Sequence, residues 1–137
     1  MRRTLATCLL ATLLASSCAS TTPGGSSGTV DIPDDAIDHR GSAQVTVEIT
    51  DNAFTDRIIV VSPGTEVVWV NTGRNVHNVR PAAKEPGVGW FVEITGETLE
   101  GGPGSVTFDN VGDYPYFCSF HGTARRGQRG RVIVVPG

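Results

Sequence analysis

Methionine occurs once in these 137 residues, at position 1, and histidine only three times. Cysteine occurs three times, at Cys8, Cys18 and Cys118, and no acidic residue follows Asp113. Aromatic residues make up 7% of the chain and charged residues 18%. Each scarcity excludes something. A formal net charge of -3 argues against a nucleic-acid binder, whose surface is normally basic. The apolar run of residues 5–15 falls short of the roughly 20 residues that a membrane-crossing helix needs. From residue 43 onward no stretch offers a helical period of useful length. What remains is room for one domain, with 39% apolar residues to build a core. Gly 17 and Pro 8 imply many turns, as in all-β proteins.

The N-terminus reads as a targeting segment. Met1-Arg2-Arg3 is its positive end, and residues 5–15 have the length of a signal-peptide core. Arg2-Arg3 alone is a thin basis for a twin-arginine signal. Ser16-Ser17-Cys18 resembles the lipobox of bacterial lipoproteins, although Ala15 stands where Leu is usual. That resemblance implies acylation of Cys18 and anchoring to the extracytoplasmic face of the membrane. The alternative is an ordinary cleaved signal peptide. Expected boundaries are a signal peptide over 1–17, a lipidated N-terminus and flexible linker over 18–42, and a folded domain over 43–137. The linker is polar and Gly/Ser-rich, then acidic at Asp31, Asp34, Asp35 and Asp38. His39 falls in it and is expected to be solvent-exposed and not a ligand.

The domain itself reads as strands. Val45, Val47 and Ile49 alternate with Thr46, Glu48 and Thr50, the period of a half-buried strand. Further strands are expected at 58–61, 65–71, 89–95, 105–108, 114–118 and 131–135, separated by turns such as Pro63-Gly64 and Gly101-Gly102-Pro103-Gly104. About seven short strands in this length predict a two-sheet sandwich with Greek-key connections.

Cys118 is the only cysteine of that domain, so no internal disulfide is available to it. His121 follows three residues later, and His77 is the one other histidine from 43 onward. One thiolate and two imidazoles form a borderline-soft trigonal set that suits copper with a weak fourth bond. Zinc remains open, but structural zinc sites take four firm ligands, usually in two close pairs. A cysteine nucleophile with a histidine base also remains open, although no substrate pocket is visible. So does a buried structural cysteine with two unrelated histidines.

Residues 43–137 resemble a cupredoxin, the blue-copper family that includes plastocyanin and pseudoazurin. The resemblance rests on Asn52-Ala53-Phe54, on Val61 to Asn71, on Val76-His77-Asn78-Val79, on Tyr114 to His121 and on Gly127 to Val134. It implies an eight-stranded Greek-key β-sandwich with one copper ion near one end, held by His77, Cys118 and His121. Where relatives read Gly-Met, this chain reads Gly127-Gln128, so Gln128 is expected as the axial ligand through its amide oxygen. Asn78, with Ser119, is expected to tie the His77 loop to the Cys118 loop. Trp69, Phe91, Phe117 and Phe120 are expected to keep water from the metal or simply to pack the core. The implied function is one-electron transfer between redox partner proteins, by a monomer and not an enzyme. The alternative is an extracytoplasmic copper carrier or chaperone. Paired-histidine motifs of copper oxidases and nitrite reductases are absent. His121 is the expected electron port; Arg125, Arg126, Arg129 and Arg131 at that end, with Arg74 and Arg80 flanking His77, point to an acidic partner, or form no more than a solvated basic loop.

Overall fold

A computed structural model describes residues 30–137. The signal peptide, Cys8, Cys18 and the first part of the expected linker lie outside the described residues. Eight strands and one short helix follow in order: β1 (Ile37–Asp38), β2 (Gln44–Ile49), β3 (Ile58–Val61), β4 (Thr65–Asn71), β5 (Arg80–Pro81), α1 (Gly96–Gly101), β6 (Gly104–Phe108), β7 (Gly112–Thr123) and β8 (Arg126–Val134). One sheet has the order β1-β3-β8-β7-β5 and the other β2-β4-β6. Both are mixed, with parallel β1·β3, β2·β4 and β3·β8 pairs. The fold is the all-β Greek-key sandwich expected from the sequence.

Alternation builds the interior. β2 buries Val45, Val47 and Ile49 and exposes the residues between them. β4 buries Thr65, Val67 and Trp69. β7 buries Tyr114, Tyr116 and Cys118 on one face. Trp69 is the hub: Tyr116 meets it edge-on at 5.3 Å and Phe91 stacks on it at 6.1 Å. Edge-to-face packing of this kind adds to the burial of large apolar surface that holds the sheets together.

β3 departs from alternation, with Ile59, Val60 and Val61 all buried. Ile59 and Val61 face the interior, whereas Val60 and its register partner Ile133 are buried but stand outside the core cluster. Residues 30–42 are held against this sheet. β1 pairs with β3, the His39 N–H donates to Val60 O at 2.8 Å, and Arg131 Nη2 donates to Asp31 O at 3.1 Å. Asp35 pairs with Arg57 at 2.8 Å. The described part of the expected linker is therefore a strap on the sheet. Of its aspartates, which composition alone marks as solvating, Asp35 pairs with an arginine of the domain, while Asp38 pairs with Arg40 within the strap itself.

Two other expectations are corrected. Residues 89–95 form no strand; only Ile94 bridges to Val79, while Phe91 and Ile94 are pressed into the core. A helix does occur, over Gly96–Gly101. The Thr95 side chain caps it by accepting the Thr98 N–H, and only Leu99 is buried. Six residues are too few to display a helical period.

Candidate metal centre

The β7–β8 hairpin creates the site by failing to pair regularly. Phe117 pairs with Arg129 and the next pair is Gly122 with Gly127, so five residue steps on β7 oppose two on β8. The surplus residues arch out of the ladder, as in a β-bulge beside a functional site. Cys118 and His121 bracket that arch. The strand itself runs on to Thr123 instead of ending at Cys118. Below the arch the hairpin closes tightly. Gly127 has φ +85°, and a Cβ there would lie 2.4 Å from His121 O, so only glycine fits.

His77 reaches the same place from the connection between β4 and β5. Its Nδ1 lies 3.6 Å from Cys118 Sγ, and His121 Nδ1 lies 3.5 Å from the same sulfur. The ligand-capable atoms of His77, Cys118 and His121 all lie within 4.8 Å of one another. His77 and Cys118 are fully buried; His121 is half-buried. Burial lowers the His77 pKa, with the neighbouring His121 as second cause, while the Gln128 side chain and the Asp51 charge pull the other way. A neutral imidazole is the form that binds a metal.

Gln128 is buried in β8. Its Nε2 donates to Thr50 O at 3.1 Å, while its Oε1 is buried with no hydrogen-bond partner. A buried carbonyl oxygen left unpaired is costly unless something else occupies it. Asn78 joins the two ligand segments as expected. Its Oδ1 accepts the Ser119 N–H at 2.8 Å and its Nδ2 donates to Ser119 Oγ at 2.9 Å. The same Nδ2 donates to Glu93 Oε1 at 3.0 Å, and Glu93 pairs with Arg80. Sequence reasoning missed Glu93. It lies 15 residues from Asn78 in a segment whose apolar residues read as a strand, and no spacing rule links the two.

Not every expected residue takes its expected place. Trp69 and Phe91 are core residues, Phe117 is half-buried, and Phe120 is 58% exposed, so Phe120 does not seal the interior. Arg80 and Arg131 are held in ion pairs with Glu93 and Asp113. Arg74, Arg125, Arg126 and Arg129 are exposed and form none among the described residues. His39 stands outside the cluster, half-buried and 3.8 Å from Asp56, because the strap holds it against the domain.

The donor set fits copper. A cysteine sulfur and two imidazole Nδ1 atoms converge, with the unpaired Gln128 amide oxygen beside them and, among the described residues, no second cysteine or carboxylate in the cluster. The four ligands of a structural zinc site are not assembled here.

Comparisons with known proteins agree. The chain is similar to a methionine-to-glutamine mutant of amicyanin in the Cu(I) form, at 27% identity and a TM-score of 0.51, over 68% of this chain and 83% of that one. A methionine-to-alanine mutant of amicyanin, also in the Cu(I) form, matches at 26% identity and a TM-score of 0.51, over 69% of this chain and 84% of that one. The Cu-containing nitrite reductase of Thermus scotoductus SA-01 shares the fold at 23% identity and a TM-score of 0.51; the likeness covers 69% of this chain but 23% of that enzyme. Curated protein sequences yield no match. The sequence model of the copper binding proteins of the plastocyanin/azurin family matches residues 41–135, which include His77, Cys118, His121 and Gln128. The chain belongs to this family of copper-binding proteins.

Proposed function

We propose that the protein is a mononuclear type 1 copper electron carrier working outside the cytoplasm, with His77, Cys118 and His121 as copper ligands and Gln128 as a weak axial ligand. The observation that carries this reading is the meeting of two imidazole Nδ1 atoms at 3.6 and 3.5 Å from one buried thiol sulfur. The orphaned Gln128 Oε1 supports the axial assignment. Copper, when bound, supplies the change between Cu(I) and Cu(II). The chain holds the donors on an arched hairpin and on a segment tied to it through Asn78, so little has to move when an electron arrives or leaves.

His121 is the proposed electron port. It is the half-exposed donor, and the exposed Val76 and Phe120 side chains both lie against Gly96. The exposed Arg74, Arg125, Arg126 and Arg129 favour an acidic redox partner through electrostatic steering. Export and anchoring through a lipid on Cys18 complete the proposal, supported by the lipobox-like Ser16-Ser17-Cys18.

The deciding experiment adds Cu(II) to the purified domain and records the visible spectrum. An intense copper–thiolate band is expected, and its absence in a folded protein would refute the reading. Reversible reduction without metal loss separates an electron carrier from a copper carrier. Replacing Arg125 and Arg126 by Glu should slow electron exchange with an acidic partner and flatten its salt dependence. Replacing Cys18 by Ser should release the protein from membranes.

A further inference from the structure

One short turn holds both the chain that leads to His77 and the Gln128 side chain. Thr50 and Asp51 follow β2, and Thr50 N and Oγ1 both bond Ala53 O, at 2.9 and 3.1 Å, to close the turn. The Thr50 carbonyl accepts Gln128 Nε2 at 3.1 Å. Asp51 Oδ1 accepts the backbone N–H of Arg74 at 2.6 Å and that of Asn75 at 3.3 Å. Ile49 O accepts the N–H groups of Thr72 and Gly73 at 2.9 and 3.0 Å. The chain that leads into His77 is thus pinned to this turn by four backbone N–H groups. The fit is tight: a Cβ on Gly73 would lie 2.6 Å from Asp51 Oδ1. The Arg74 N–H holds the Asp51 carboxyl below its ordinary pKa, so the group is a carboxylate at neutral pH.

We infer that Asp51 is a positioning residue of the copper centre: its carboxylate fixes the approach of His77, the adjoining Thr50 carbonyl turns the Gln128 amide so that Oε1 is left for the metal, and the carboxylate charge favours the oxidised ion. This rests on the copper reading above. The two actions separate by chemistry. Hydrogen bonding needs only an oxygen at the Asp51 position, whereas the electrostatic action needs the negative charge, which stabilises Cu(II) more than Cu(I).

Asp51→Asn keeps an oxygen for the Arg74 and Asn75 N–H groups and removes the charge. Its copper-loaded form should keep the parent's visible spectrum while its reduction potential rises. Asp51→Ala removes both. Its copper–thiolate band should shift or split differently, and copper should leave faster. In the metal-free Asp51→Ala protein the Arg74 amide should exchange with solvent roughly tenfold faster or more, the worth of a charge-assisted hydrogen bond. Two results overturn the inference: an Asp51→Ala protein with the parent's spectrum and potential, or unchanged Arg74 and Asn75 amide shifts and exchange in its metal-free form. If the parent itself never develops the copper–thiolate band, the copper reading fails. The metal-free amide measurements then still decide whether Asp51 pins the His77 turn.

Discussion

Replacing Asn78 by Ala tests whether the site is held by the hydrogen bonds that join its two ligand segments. Asn78 is buried and makes three hydrogen bonds: two join the segments, to Ser119 N and Ser119 Oγ at 2.8 and 2.9 Å, and the third goes to Glu93 Oε1 at 3.0 Å. At about 1 kcal/mol for each neutral bond, and more for the one to the Glu93 carboxylate, the loss sums to roughly 3–4 kcal/mol. Ser119 lies at the surface, so water takes over some of its bonding in the variant. That brings the expected cost down to about 2–3 kcal/mol. For a domain of this size the melting temperature should fall by roughly 10–20 °C. The assay is thermal unfolding of the metal-free protein followed by circular dichroism, so that copper affinity does not mask the effect. Asn78→Asp should do no better. It keeps an acceptor for the Ser119 N–H but sets a carboxylate against Glu93, and adding Glu93→Gln should recover part of the loss. A melting temperature within about 4 °C of the parent for Asn78→Ala would refute the reasoning, because it leaves less than about 1 kcal/mol for all three bonds.

Other expectations follow from single positions. Tyr116 Oη is buried without a hydrogen-bond partner, so Tyr116→Phe should leave chemical stability unchanged or slightly raised in a denaturant titration. Gly130→Ala should cost about 1–3 kcal/mol in the same titration, because a Cβ there would lie 2.2 Å from Tyr116 Cζ; Tyr116→Phe, which keeps that carbon, should not rescue it. The pKa of His77 is lowered in the fold, so the unfolded chain binds the extra proton first as pH falls. Stability of the metal-free protein attributable to His77 should therefore be complete above the ordinary value of 6.5 and decline below it, with His77→Phe flattening the profile. Gln128→Met exchanges a hard amide oxygen for a soft thioether and should raise the reduction potential in cyclic voltammetry; no change would remove Gln128 from the metal's surroundings.

The sandwich was legible wherever one face of a strand meets the core and the other meets water. Val45, Val47 and Ile49 in β2 and Tyr114, Tyr116 and Cys118 in β7 announce themselves by alternation. Legibility ended where burial follows another rule. Phe91 and Ile94 are as buried as strand residues, yet they reach the core from an irregular segment with one bridge to Val79. Asp31 and Asp35 look like solvated linker residues, and only the distant Arg131 and Arg57 give them a place on the sheet. The donors His77, Cys118 and His121 could be named because the domain has no others of their kind to confuse them. Glu93 and Asp51 could not, because a carboxylate in a turn carries no mark of the amide it will bind.

The hairpin explains why so few residues suffice. Regular pairing from Gly112 to Phe117 places Cys118 at the end of a stiff strand, and pairing resumes at Gly122–Gly127, so the arch between has fixed feet on both sides. An arch held at both ends cannot drift, and the glycine contact between Gly127 and His121 O brings those feet close. His77 and Gln128 are then anchored to one turn after β2, in the opposite sheet, through backbone atoms of Ile49 and Thr50 and the Asp51 carboxylate. The chain leading to His77 and the Gln128 side chain are thus held by groups outside the cluster, and those holds reach from the hairpin's sheet to the opposite one. A site of that construction presents a copper ion with donors whose positions the core has already decided.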